Sequence, residues 1–381
     1  MTTGREPEAP PPRKAAAESR PRPPRVQASR PAARPGPAVW AAPAPATAPP
    51  APPPIAAAAA RGDLGVRHGR RLRERMIELF LLVNGMAAII IIALIFVFLF
   101  REGVAAFSDI APRQFIGGTE IKSSYDAASD TFTEIREFAT VWQPVSEEPK
   151  YSLLPLINGS LLVALPATLI STLIGVLVGI YLAELASHRV REIVKPAIEL
   201  LAGIPTVIIG FIALTVLATL VQQVTHSHFR LNAFVGALGV SLVVIPVIAS
   251  LTEDALRAVP ETLRLASYGL GATRWQTVSR VVVPAAVSGI TAAALLGFGR
   301  ALGETMIVLM ATGNAALTTG NILSSVRTMT ATIAAELGAV ARDSEQYHAL
   351  FFVGAVLFTM TFVFNLVAEV IVSRMRRRLR M

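Results

Sequence analysis

Val259-Pro260-Glu261-Thr262-Leu263-Arg264-Leu265-Ala266-Ser267-Tyr268-Gly269-Leu270-Gly271-Ala272-Thr273-Arg274-Trp275-Gln276-Thr277-Val278-Ser279-Arg280-Val281-Val282-Val283-Pro284 joins two long apolar runs, yet it lacks the composition of a loop. Pro260 suits the first turn of a helix and Gly271 suits its C-terminal stop. Leu263, Ala266 and Leu270 recur at helical spacing, which predicts a short amphipathic helix turning sharply at Gly271. A second short helix containing Trp275 leads on to Pro284. A membrane protein builds such a surface element where a cytoplasmic partner has to grip it.

On either side the chain is composed for a bilayer. Of its 381 residues 53% are hydrophobic and the mean hydropathy is +0.54, above the range of soluble domains. A bilayer core takes about 20 apolar residues per helix. Six stretches qualify: 77–100, 153–183, 197–221, 232–252, 284–311 and 348–373. Several are longer than a bilayer needs, which predicts tilt or protrusion. Arg61, Arg67, Arg70, Arg71, Arg73 and Arg75 precede the first, and Arg374, Arg376, Arg377, Arg378 and Arg380 follow the last. Arg189, Arg191 and Lys195 lie between the second and third, and Arg257, Arg264, Arg274 and Arg280 between the fourth and fifth. Every basic cluster falls on one side if both termini are cytoplasmic, as the positive-inside rule requires.

The net charge of +9 is a property of one segment. Residues 1–75 hold 14 Lys/Arg against 5 Asp/Glu, and the rest of the chain balances. The basic pI therefore implies no nucleic-acid partner. Residues 1–60 contain 17 Pro and long Ala runs, so 1–75 reads as a disordered basic Pro/Ala-rich cytoplasmic arm without the apolar core of a signal peptide. The first membrane helix is placed at 76–100. Residues 101–152, with five basic and nine acidic residues, are an extracytoplasmic segment, and 374–381 is a basic tail that contacts lipid headgroups. There is no cysteine, which excludes disulfides and thiol chemistry. No Walker A pattern is present. His226 and His228 lack acidic neighbours, and neither a metal nor a cofactor is expected.

The 259–284 stretch resembles the EAA loop of ABC importer permeases, with Leu265-Ala266-Ser267, Gly271, Val281, Val283 and Pro284 in register and Leu265 where the family has Glu. The resemblance implies an all-α membrane protein of the six-helix MetI-like type. Its permease domain spans 153–375, with a coupling loop at 253–284 that fits a cleft of an ATP-binding subunit. Leu265, Ala266, Ser267, Gly271, Arg274 and Trp275 are then the ATPase-coupling residues. Pro196-Ala-Ile-Glu199-Leu-Leu-Ala-Gly-Ile-Pro205-Thr-Val-Ile-Ile-Gly210 and Gly299-Arg300-Ala-Leu-Gly-Glu304-Thr305-Met306-Ile-Val-Leu-Met-Ala-Thr-Gly-Asn314 are similar to phosphate-uptake permeases of the Pst system, nearer the C-type than the A-type. This resemblance implies phosphate as cargo and three kinds of partner: a second, A-type permease, an ATPase dimer, and a periplasmic phosphate-binding protein. It also implies a bacterial inner-membrane location and no catalytic site in the chain.

Arg300 and Glu304 carry their own argument. They lie 16 and 20 residues past Pro284, and charges at membrane depth mark a pathway by default. A guanidinium suits a phosphate oxyanion, because its planar fork donates two hydrogen bonds and stays charged. At i, i+4 the two residues are expected on one helical face within ion-pair reach. Either they form the substrate path, together with Thr305, or they are a pair locking two helices. Glu199 is either a gate on that path or a helix-end group. Asn158, Ser160, Thr206 and Thr312 either line a polar route or bond back to their own helices. An importer for molybdate, sulfate or phosphonate, a phosphate-sensing membrane protein and a gated channel are the competing readings.

Overall fold

The structure, a computed structural model, describes residues 68–126 and 131–379. The chain divides after Arg75, and the residues from Met76 onward form one helical body. The expected arm over 1–67, and the last two residues of the basic tail, lie outside the described residues.

Helix α1 (His68–Asp109) is one 42-residue rod. After a 3₁₀ turn at Pro112–Phe115 come strands β1 (Gly118–Asp126) and β2 (Thr131–Ala139), paired antiparallel from Gly118↔Ala139 to Asp126↔Thr131. Strands β3 (Trp142–Gln143) and β4 (Lys150–Tyr151) pair Trp142 with Tyr151. The membrane body is all-α as expected. These strands depart from it, and they occupy the extramembrane segment alone.

Helix α2 (Leu154–Ile180) runs on through a π-turn at Tyr181–Leu185. Helix α3 (His188–Ala202) starts on Ser187, whose Oγ accepts the Val190 N–H at 3.4 Å. Helix α4 (Thr206–Ile212), a π-turn at Ala213–Leu217 and α5 (Ala218–Thr225) form one rod. Helix α6 (Ala233–Arg257) starts on Asn232, whose Oδ1 accepts the Val235 N–H at 3.0 Å. Next come α7 (Glu261–Gly269), α8 (Arg274–Thr277), a π-turn at Val278–Val282 and α9 (Val283–Leu302). The chain ends with α10 (Met306–Ala311), α11 (Met329–Glu336) and α12 (Glu345–Leu379).

Among the described residues, six helical segments are long and apolar enough to cross a membrane: Glu74–Asp109, Leu154–Leu185, Thr206–Thr225, Ala233–Arg257, Arg274–Leu302 and Glu345–Met375. The first helix runs nine residues past the expected end at Phe100, to Asp109, and two others differ in where they break. The third does not begin at 197. Pro205 has no N–H and disfavours helix at the residue before it, so the chain breaks at Gly203–Pro205 and α3 is a separate amphipathic helix. The fifth does not run unbroken to 311. It stops at Leu302, and the Glu304 carboxylate then accepts the N–H groups of Thr305 and Met306 at 3.1 and 3.2 Å, starting α10 afresh.

Span four is the buried axis, with 61% of its apolar window inside the body against 0% for span one. Side-chain-free positions let the neighbouring helices close on it. A Cβ on Gly179 would stand 2.7 Å from Thr252, and one on Gly297 would stand 2.6 Å from Ile248. Without a hydrophobic drive between helices in lipid, such close packing is what holds them. Span one packs along span six through edge-on Phe96–Phe358, Phe98–Phe351 and Phe107–Phe352 pairs. Beyond it, His348 Nδ1 stands 3.3 Å from Asp109 and Nε2 3.9 Å from Glu102. At the end away from α7, Glu336 accepts from Trp142 Nε1, Arg327 Nη1 and Gln346 Nε2 at 3.1, 2.8 and 3.0 Å. This network ties the extramembrane segment to α11. Beside it, burial and then the charges of Glu345 and Glu336 push the Tyr151 phenol up to about 12.

Candidate coupling surface and substrate path

The turn between α7 and α8 is set by its backbone. Gly271 has φ +81°. The Ala272 N–H reaches the Ser267 carbonyl at 3.2 Å and the Gly271 N–H reaches Tyr268 at 2.9 Å, the two bonds of a Schellman stop. Helix α8 is fixed by a capping box between Thr273 and Gln276. Ser267 Oγ and Thr277 Oγ1, both buried, lie 2.9 Å apart and pin the two helices together.

This hairpin is anchored to the end of span two. Arg264 Nη2 donates to Glu184 Oε1 at 2.7 Å, and its Nη1 and Nη2 cap the Val259 and Leu256 carbonyls. Both ends of the pair are nearly buried, at 12% and 10% exposure. Arg274 Nη2 donates to the Glu184 carbonyl. Removing one member of such a pair strands the other, at a cost of about 3–5 kcal/mol. Arg264→Ala is therefore expected to lower the thermal midpoint of the solubilised protein by several degrees, and an unchanged midpoint would refute the anchoring role.

Of the residues expected to face an ATPase, Leu265, Ala266, Gly271 and Trp275 are exposed. Arg274 is exposed as well, with its guanidinium reaching the Glu184 carbonyl of span two, whereas Ser267 is buried where it joins the two helices. The outer face is apolar: Leu270 is 89%, Trp275 62% and Leu265 61% exposed. Three large apolar side chains this exposed on one short hairpin suit a protein partner.

Gly297 packs on Val244 and Ile248, and a Cβ on Gly239 would meet Ile307. Arg300 and Glu304 therefore sit level with the middle of span four. The ion pair expected between them is not formed. The break at Gly303 takes Glu304 off the helical face of Arg300, and its carboxylate is engaged by the N–H groups of Thr305 and Met306. Its carbonyl accepts from Thr330 Oγ1 at 2.7 Å, and Thr305 stands beside it in the break. Among the described residues, Arg300 is exposed and its guanidinium has no ion-pair or hydrogen-bond partner. Glu199 lies on α3, exposed, in a groove with Pro196, Leu200, Gly203, Ile204 and Pro205. Ser160 and Thr312 bond back to their own helices at 2.8 Å, whereas Asn158 Oδ1 accepts the Thr319 N–H.

The family model of the binding-protein-dependent transport system inner membrane component matches residues 175–380. The chain belongs to that family. It is a multi-pass permease subunit and not an enzyme. Among curated relatives, the permease is 36% identical over 233 residues to the probable ABC transporter permease protein YqgH of Bacillus subtilis, covering 61% of this chain and 75% of that one. It is 33% identical to the phosphate transport system permease protein PstC of Mesorhizobium japonicum, covering 62% and 77%. It is also 33% identical to PstC of Xylella fastidiosa, covering 63% and 79%. An inward-facing structure of the MetNI methionine ABC transporter aligns at TM-score 0.48 and 18% identity, covering 58% and 95%. The matched region contains α7, α8 and the break at Gly303–Thr305. Glu184 and Arg264 also lie within it, paired across 80 residues that no sequence spacing singles out.

Proposed function

We propose that this permease is the C-type membrane subunit of an ATP-driven phosphate importer. The observation that carries the reading is the unpartnered Arg300 guanidinium at mid-span depth. An arginine at the centre of a bilayer costs about 2.5–3.5 kcal/mol on an isolated helix, so its face has to be covered by protein or open to water. A second permease, the A-type paralogue, covers that face and closes the pathway. A periplasmic phosphate-binding protein delivers the anion, and a dimer of ATP-binding subunits seats the apolar α7–α8 surface. Both termini are then cytoplasmic, in a bacterial inner membrane. The two PstC relatives support phosphate over molybdate, sulfate or phosphonate.

The test is uptake of labelled phosphate into proteoliposomes holding the permease pair and the ATPase, with the binding protein outside. Phosphate should be accumulated only with ATP, and unlabelled phosphate alone among the four oxyanions should compete at low excess. Equal competition by molybdate or sulfate would move the reading to that oxyanion. Phosphate-dependent signalling without uptake would favour the sensor. Deleting residues 1–60 while keeping Arg61 to Arg75 should leave insertion and uptake unchanged, because a segment so rich in Pro and Ala has nothing to bury. Lost uptake at normal abundance would assign the arm a function.

A further inference from the structure

Glu253, near the end of α6, is 1% exposed and faces three cations. Arg257 Nη2 stands 2.7 Å away, Lys195 Nζ 3.3 Å and Arg191 Nε 3.8 Å. Neither carboxylate oxygen receives a well-aligned hydrogen bond, so the attraction is Coulombic and its partners are exchangeable. Arg191 also donates to the carbonyls of Leu182 and Ala183 at 2.7 and 3.1 Å. Those carbonyls belong to the same π-turn whose Glu184 is held by Arg264 and Arg274. The π-turn is thus gripped by the α7–α8 hairpin through one residue and by α3 through its neighbours. π-turns within helices frequently mark functional sites.

Helix α3 has no buried residue. Its apolar side chains are at most partly buried, so the polar contacts of Arg191 and Lys195, with Glu253 at their centre, are the specific ones that dock it. The acid is fixed inside span four, whereas the cations are part-exposed, at 29–42%. Buried ionic groups are a weak source of stability against an apolar replacement of similar size, so their place here calls for another explanation. Helix α3 leads straight into the break at Gly203–Pro205 where span three begins. We infer that Glu253 is a positioning residue for coupling, an ionic latch holding α3 to span four so that displacement of the α7–α8 hairpin is passed to the start of span three. The inference rests on the reading of that hairpin as the ATPase contact.

The test uses the complete transporter with its binding protein. Coupling free energies usually correspond to about 5- to 150-fold effects, and Glu253→Gln should lower the ratio of substrate-stimulated to basal ATP hydrolysis by about tenfold. Uptake per ATP should fall with it, and Glu253→Asp should restore much of both. A merely structural role would lower abundance and leave the ratio intact, so a wild-type ratio in Glu253→Gln overturns the latch. The chain has no cysteine, so a spin label at Ile193→Cys, on the exposed face of α3, reports docking directly. The label should gain mobility in Glu253→Gln, and an unchanged spectrum counts against the latch. If Glu253→Gln fails to assemble, Lys195→Met takes its place, leaving Arg191 and Arg257 to pair the acid. It should both mobilise the label and reduce the ratio, and no change in either refutes the inference. If wild type shows no phosphate stimulation at all, the importer reading has failed instead, and the label still decides the latch.

Discussion

Arg300→Gln is expected to abolish phosphate uptake, by on the order of 100-fold, with the protein inserted at normal abundance. The magnitude follows from two charge-assisted hydrogen bonds to the oxyanion, at about 1.5 kcal/mol each, converted at 1.4 kcal/mol per tenfold. The normal abundance follows from the structure. Among the described residues the guanidinium has no partner, so removing it strands nothing inside the chain. Arg300→Lys keeps the charge and loses the fork, and recovery to within about tenfold of wild type is expected from one retained bond. Uptake near wild type in Arg300→Gln, measured at matched abundance, would remove Arg300 from the path.

Glu304 has a different part. Its Oε1 accepts the Thr305 and Met306 N–H groups, and a glutamine keeps an oxygen that can accept the same two. Glu304→Gln should therefore preserve the break and expose any need for negative charge near Arg300. Glu304→Ala should also lose these two hydrogen bonds, at about 1 kcal/mol each. Comparing the two variants separates charge from hydrogen bonding.

Much of this molecule is legible in its sequence, and the gaps have physical causes. All six spans follow from apolar runs, since length and composition alone decide whether a helix crosses a bilayer. The hairpin at 259–284 is legible too, because Pro260 and Gly271 act on the backbone within a few residues of the turn they set. The two helix breaks escape because a local signal competes with a longer apolar run. Apolar residues continue through Gly203–Pro205 and through Gly303–Thr305, so a hydropathy reading carries each span across its break. Glu304 reads as a partner of Arg300 at i, i+4 only if the helix continues. The strands of 118–126 and 131–139 escape because their apolar residues do not alternate cleanly. Glu184 pairs with Arg264 over 80 residues and Glu253 with Lys195 over 58, which no spacing rule reaches, although Arg257 lies within i, i+4 reach of Glu253.

Gly271→Val should uncouple the permease without unfolding it. At φ +81° the residue lies where side chains are disfavoured, by about 1–2 kcal/mol, and a β-branched residue fares worst. The space around it is open: a Cβ there meets nothing within 4 Å. The penalty is therefore conformational rather than steric, and it falls on the turn itself. The cheapest relief is to release the two Schellman bonds, which lets Leu270 and Trp275 leave the arrangement that presents them to the ATPase. The membrane body does not depend on that turn, because Ser267–Thr277 and Arg264–Glu184 still tether α7. Insertion should be normal, while ATPase subunits co-purify poorly or hydrolyse ATP without regard to substrate. Gly271→Asn supplies the control, since asparagine visits the left-handed region readily. It should couple nearly as well as wild type, and Gly271→Ala should fall between the two. That ranking tracks backbone preference and not side-chain size, because asparagine is larger than alanine. If Asn proves as damaging as Val, the requirement is for a bare surface at the ATPase contact and the turn-based account fails. If all three variants bind and stimulate the ATPase normally, the hairpin is not the coupling element.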